Sequence, residues 1–207
     1  RTELFKAIAG IIPADDGWIV NGSGNKVRFK KPADAIKSGI VYLTEDRDKD
    51  GLINVLSVKD NLTLSSLEKV SNTNFISKKN EAKTVNNLIN LLSIRTPSSN
   101  EAVKNLSGGN RQKVLLGKVF AIKPKVYLLD EPTKGIDIAA KKDILNFIRK
   151  ELVADAGVIM TLPDIPSLME VCDRIFVIYN GEIVEEFNRE QFDENEIYNR
   201  TQGMKRN

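Results

Sequence analysis

The sequence predicts an α/β protein, with a largely parallel sheet covered by helices on both faces and a helical insertion in its first half. Three observations predict it. Continuous apolar runs at 40–44, 126–129, 158–161 and 175–178 have the length of buried strands. In the second half these runs alternate with stretches of helical period. From Ser57 to Leu92 no strand-like alternation intervenes, so this region reads as a helical insertion. The 207 residues are 41% hydrophobic and 29% charged, enough for a sizeable core in one large or two small domains.

In chain order, residues 1–9 are helical by period, with Leu4, Phe5 and Ile8 on one face and Gly10 as the stop. Trp18-Ile19-Val20 and Val27-Arg28-Phe29 flank a turn at 21–25 and predict a β-hairpin. Trp18 is either a base-stacking aromatic or a packing residue of that hairpin. Pro32 opens a short helix to Lys37, and Gly39 closes it. The strand 40–44 leads into a charged loop, 45–51. Ser57-Val58-Lys59-Asp60 predicts a capping box at a helix start. A second helix starts near Ser77, with Val85, Leu88, Ile89 and Leu92 on one stripe. Helices at 107–121 and 139–153 precede the strands at 126–129 and 158–161. A short helix begins at Ile165, before strand 175–178. Asn180-Gly181 predicts a hairpin turn into 183–187, and the polar tail from Asn188 holds one helix.

The bulk properties exclude several classes. Net charge is +3, from 31 Lys and Arg against 28 Asp and Glu, with no long basic run, so the charge reads as solvated surface and no nucleic-acid partner is expected. The single cysteine, Cys172, excludes an internal disulfide and reads as a small packing residue. No apolar run approaches the ~20 residues that cross a bilayer, and the N-terminal stretch has no cleavage site. The expected location is the cytosol, with any membrane role exerted by docking onto another subunit. Histidine is absent, so no imidazole serves as base, ligand or pH switch.

Two motifs carry chemistry. Asp130 and Glu131 close an apolar strand, where open α/β sheets place ligands. Asp130 would hold Mg²⁺, through water, and Glu131 would orient or deprotonate an attacking water. An acidic pair after a strand is also an ordinary turn, but Pro132-Thr133 and Gly135-Ile136-Asp137 directly after it favour the functional reading. Ser107-Gly108-Gly109 sets a hydroxyl and backbone N–H groups at a helix N-terminus, a ready anion site, though Ser-Gly-Gly also makes plain capping loops. The short separation of the two motifs makes the pair specific for nucleotide hydrolysis.

On these residues the chain resembles the ABC-type ATPases. Leu106-Ser107-Gly108-Gly109-Asn110-Arg111-Gln112-Lys113 is similar to their signature motif, residues 126–131 to their Walker B strand, and Gly135-Ile136-Asp137 to their D-loop. Residues 39–52, Gly39 through Thr44-Glu45-Asp46-Arg47 to Leu52, resemble the second nucleotide-binding domain of bacterial monosaccharide importers of the ribose and galactose type. Arg1-Thr2-Glu3-Leu4 resembles the end of that group's phosphate loop. The resemblance runs from residue 1 to about residue 187. It implies a P-loop NTPase-like fold: core residues 1–52 and 123–187, a helical subdomain at 53–122 ending in the signature helix, and a tail at 188–207. It implies ATP and Mg²⁺ as cofactors, with Arg1, Thr2, Glu45, Ser107, Gly108, Gly109, Asn110, Gln112 and Asp137 as nucleotide-binding positions. Thr2 and Asp130 become the metal positions, and Glu131 and Asp130 the catalytic ones.

The same resemblance exposes departures. Arg1 stands at the phosphate-loop lysine position, and the glycine-rich turn and its strand would lie before it, so the chain is expected to be a piece of a longer polypeptide. An arginine fork does not replace a compact ammonium without cost. Glu45 stands at the Q-loop glutamine position and Pro163 at that of the switch histidine. The expectation is a degenerate own site beside an intact signature loop that acts in trans. The implied partners are the N-terminal nucleotide-binding domain of the same polypeptide, membrane permease subunits met by loop 45–50 and the helical insertion, and indirectly a periplasmic or surface sugar-binding protein. The implied location is peripheral, at the cytoplasmic face of the plasma membrane. Two other functions stay open: a non-hydrolysing regulatory nucleotide-binding domain, and a soluble non-transport ABC ATPase, for which a basic arm, a long coiled coil or zinc cysteines would be expected.

Overall fold

A computed structural model describes residues 1–20, 24–72 and 75–204. The chain divides into two compact units, Thr2–Met160 and Thr161–Asn207, with Arg1 grouped with the latter.

In the larger unit α1 (Thr2–Ile8) is followed by β1 (Ile19–Val20) and β2 (Lys26–Val27), a short antiparallel pair. The expected hairpin is present; its turn residues 21–23 lie outside the described residues. Trp18 is 58% exposed, and Lys26 Nζ sits 3.7 Å from its ring centroid, a cation–π contact on the hairpin surface. α2 (Pro32–Lys37) then delivers the chain to β3 (Ile40–Leu43). Residues 47–51, expected as loop, wind into one π turn that Asp46 caps through its side chain. α3 (Val58–Thr63) starts at the predicted capping box, in which Ser57 and Asp60 bond each other's backbone N–H. α4 (Leu67–Val70) follows. The expectation that no strand interrupts the helical insertion fails next, where β4 (Ser71–Asn72) pairs with β5 (Phe75–Ile76). Two-residue strands are too short to display a period of two. α5 (Lys78–Leu91) is capped by Ser77, and α6 (Gly108–Phe120) by Ser107. β6 (Val126–Asp130) leads to α7 (Ile138–Phe147), which passes through a π turn at Ile148–Leu152 into α8 (Val153–Asp155) and β7 (Gly157–Thr161).

The sheet order is β3-β6-β7, with β3 and β6 parallel and Tyr42 opposite Leu128. Side chains alternate across it. Val41, Leu43, Tyr127 and Leu129 face the main core, which they share with Val58 and Leu62 of α3, Val85 and Leu88 of α5, Val114 and Leu115 of α6, and Ile144 of α7. Leu128 faces the other way, onto Phe5 of α1 and Ala9 just after it. The helical region and the sheet thus share one apolar cluster. Leu4, expected on the buried face of α1, is 46% exposed; the helix turns Phe5, Ile8 and Ala9 inward instead.

In the smaller unit α9 (Ile165–Val171) precedes β8 (Arg174–Tyr179) and β9 (Glu182–Asn188), an antiparallel hairpin, and α10 (Glu194–Thr201) ends the chain's regular structure. Asn180 and Gly181 both have φ > 0, as a tight hairpin turn requires. Ile175, Val177, Phe187 and Ile197 form its core, against which Cys172 packs. Burial, then Asp173, pushes the Cys172 thiol up to about 11, which fits an inert packing residue.

Candidate functional site

β6 fixes the first part of the candidate site. Continuing the alternation of Val126 and Leu128, Asp130 turns toward the α1 side and is only 1% exposed. Its Oδ2 accepts a hydrogen bond from the Tyr42 hydroxyl at 3.0 Å. Burial, and then the charge of Asp130, raise the Tyr42 phenol well above its ordinary value, so it remains a proton donor across the physiological range. Glu131 follows at φ 46°, a left-handed conformation that glutamate seldom adopts. The chain therefore turns sharply at the second carboxylate, as functional loops often do. Thr133 is buried, and its hydroxyl lacks a hydrogen-bond partner.

α6 fixes the second part. Ser107 is exposed at its mouth, in extended conformation, and its Oγ accepts from the Asn110 side-chain amide at 3.0 Å. Asn110 in turn accepts from the backbone N–H of Arg95 at 2.8 Å, which ties the mouth to the chain just past α5. Gly109 is where α6 crosses α7: a Cβ there would stand 2.7 Å from Ala140 Cβ. A Cβ on Gly108 would stand 3.3 Å from Arg47 Nη2 and 3.4 Å from the Gly135 carbonyl oxygen. The two glycines thus let the helix mouth lie directly against the turn after β6.

That turn ends at Asp137, whose Oδ1 accepts from Ala140 N–H at 2.9 Å and caps α7. Glu45, half-buried after β3, forms an ion pair with Lys134; this bond to Glu45 holds the Lys134 ammonium above its ordinary range. Asp137, Gly108 and Gly109 are therefore brought together, and Glu45 reaches the same turn through Lys134. Gln112, expected to face nucleotide, is 3% exposed on the second turn of α6. Thr2 is half-buried at the start of α1, and Arg1 and Pro163 are exposed. Among the described residues no group of three or more Asp, Glu, His or Cys could hold a metal by itself. Oxygen donors such as Thr2 and Asp130 suit a cation completed by waters and phosphate oxygens.

Tyr42, Arg47 and Lys134 are site residues that sequence reasoning missed. A tyrosine inside an apolar strand signals a hydroxyl in need of a partner, but the partner lies 88 positions away. No local pattern marks Arg47 or Lys134.

Residues 1–134 match the family model described as "ABC transporter". The chain is 39% identical over 198 residues to the ribose import ATP-binding protein of Clostridium tetani, covering 95% of this chain and 39% of that protein. It is 41% identical over 183 residues to the ribose import ATP-binding protein of Geobacillus kaustophilus, covering 88% and 37%. The chain thus spans about two-fifths of the length of the curated relatives it matches. A solved ATP-binding cassette of an ABC transporter superimposes with a TM-score of 0.77 at 21% identity, over 96% of this chain and 78% of the other. A second bacterial ABC transporter cassette, solved as a dimer, gives 0.76 at 19%, over 92% and 81%. At these identities the structural likeness speaks for the fold.

Proposed function

From the premise that the chain belongs to the ABC transporter family, we propose that it is the C-terminal nucleotide-binding part of a monosaccharide importer's ATP-binding subunit. In this reading Ser107, Gly108 and Gly109 close over ATP held by the N-terminal nucleotide-binding domain of the same polypeptide, and so complete the hydrolytic site in trans. The observation that carries it is the exposed Ser107 hydroxyl, followed by two glycines, at the N-terminal mouth of a thirteen-residue helix, the end whose dipole favours an incoming phosphate. The likeness to ribose import ATP-binding proteins along nearly the whole chain supports the sugar class.

The chain's own nucleotide site is proposed to be degenerate. Arg1 replaces a compact ammonium, Glu45 replaces a neutral amide and is engaged with Lys134, and no histidine is available for a γ-phosphate contact. Asp130 and Thr2 are the residues that would hold Mg²⁺, which supplies charge neutralisation to the phosphates when bound. Glu131 is the residue that would orient water. Segments 45–51 and 53–122 are proposed to meet the permease subunits at the cytoplasmic face of the membrane.

The test uses the full-length protein assembled with its permease. Ser107→Arg is expected to abolish ATP turnover and sugar uptake, and Glu131→Gln to leave most of both. Loss of turnover in Glu131→Gln with a harmless Ser107→Arg would refute the assignment.

A further inference from the structure

We infer that Arg47 is a positioning residue whose guanidinium splints the turn after β6 against the mouth of α6; its role in turnover rests on the trans reading of Ser107. Arg47 Nη1 donates to the Lys134 carbonyl at 2.9 Å, and Nη2 to the Gly135 carbonyl at 3.4 Å. The same Nη2 is the nearest atom to a Cβ built on Gly108, at 3.3 Å, so the fork lies between the turn and the helix mouth. Gly135 is in the left-handed region at φ 64°, a turn that leaves two successive carbonyls pointing at one planar donor. A planar fork meets two acceptors at fixed spacing, which a lysine cannot do.

The base of the splint is itself fixed on α6. Asp48, next in the chain, pairs with Arg111 on the first turn of that helix, and Arg111 Nη2 also donates to Asn54 Oδ1 at 2.9 Å. Two turns further along the same helix Lys118 Nζ donates to the Gly51 carbonyl at 2.8 Å. The π turn 47–51 is thus pinned to α6 at both ends, and Arg47 reaches out from it to the backbone of 134–135. Displacement of segment 45–51 reaches the turn through Arg47 and through the solvent-exposed Glu45–Lys134 pair, and of these two only Arg47 also lies against the glycine pair. Because the bonds are to backbone carbonyls, the geometry they set does not depend on the Lys134 side chain.

The experiment uses the full-length protein. Without nucleotide, Arg47→Met is expected to speed amide exchange in the peptides covering 107–109 and 134–137 while leaving the core of β3 and β6 protected; Arg47→Lys falls between Arg47→Met and the parent. With permease and ATP, Arg47→Met is expected to lower kcat of order ten- to a hundredfold, as a small misplacement of a phosphate-facing group does, with KM for ATP unchanged. Unaltered exchange in both segments, or a rise spread evenly over the protein, overturns the inference. A harmless Ser107→Arg in the same assay removes the trans reading instead, and the exchange result then decides Arg47 alone.

Discussion

The mouth of α6 and the end of β6 belong to consecutive elements and are built by opposite means. The helix mouth is shaped by what is left out: no side chain at 108 or 109, so that Ala140, Gly135 and Arg47 can close in. The strand end is shaped by what is paired: a nearly buried Asp130 with a hydroxyl drawn from the neighbouring strand. One presents an exposed serine outward, and the other draws its carboxylate inward. This division is what the trans reading proposed above expects, with a helix mouth turned to another domain's nucleotide beside a strand end kept largely as architecture.

The largest stability effect should fall on the mouth. Gly109→Ala gains about 1 kcal/mol of helix propensity, but its methyl group would meet Ala140 Cβ at 2.7 Å, and neither side of that contact is a flexible side-chain end. Overpacking of this kind costs about 1–3 kcal/mol, backbone shifts included, so a net loss of up to about 2 kcal/mol is expected by urea denaturation. Ala140→Gly in the same chain should restore most of it, and the double-mutant cycle would show the coupling. Additive effects would mean that the mouth is not set by this contact.

A smaller loss should follow at the strand end. Tyr42→Phe removes the hydrogen bond to Asp130 with little change of volume, for about 1 kcal/mol by chemical denaturation. Its pH behaviour sharpens the contrast. Tyr42 and Tyr127 both have raised phenols, Tyr127 up to about 12 through burial and then Asp155. Below pH 10 folded and unfolded chains both hold these protons. Above it the unfolded chain releases them first, so stability falls as pH rises from 10 toward 12. Tyr127→Phe and Tyr42→Phe should each flatten that alkaline limb relative to the parent protein. An unchanged limb in both variants would contradict the burial of these hydroxyls.

Much of this layout was legible in the sequence, for physical reasons that differ by element. Ser57, Ser77, Ser107 and Asp137 announce helix starts because a cap needs only the N–H groups two or three residues on. Asn180-Gly181 announces its turn for the same local reason. The strands 126–130 and 40–43 were visible as apolar runs, and Asp130 and Ser107 stood out by position on them. What stayed hidden depends on distant partners. Residues 47–51 read as a charged loop because Arg111 and Lys118, which fold it into a π turn, lie more than sixty positions away. Gln112 is buried on α6, which its place in the motif does not announce. Leu4 and Phe5 are equally apolar, and only the docking of α1 onto Leu128 decides which of them is buried.

The smallest effect should separate the two links that join segment 45–47 to the turn after β6. Glu45 and Lys134 form a side-chain ion pair whose ammonium is open to solvent. Water and salt screen such a pair, and both side chains lose rotamer freedom to make it, so its contribution to folding is close to nothing. Arg47 instead bonds backbone carbonyls from a position between the turn and the helix, where the acceptors cannot swing away to water. Lys134→Met should therefore leave the urea midpoint unchanged at low and high salt alike, while Arg47→Met lowers it. A salt-dependent loss in Lys134→Met that equals the loss in Arg47→Met would show that charge, and not the fixed geometry of the fork, holds this turn in place.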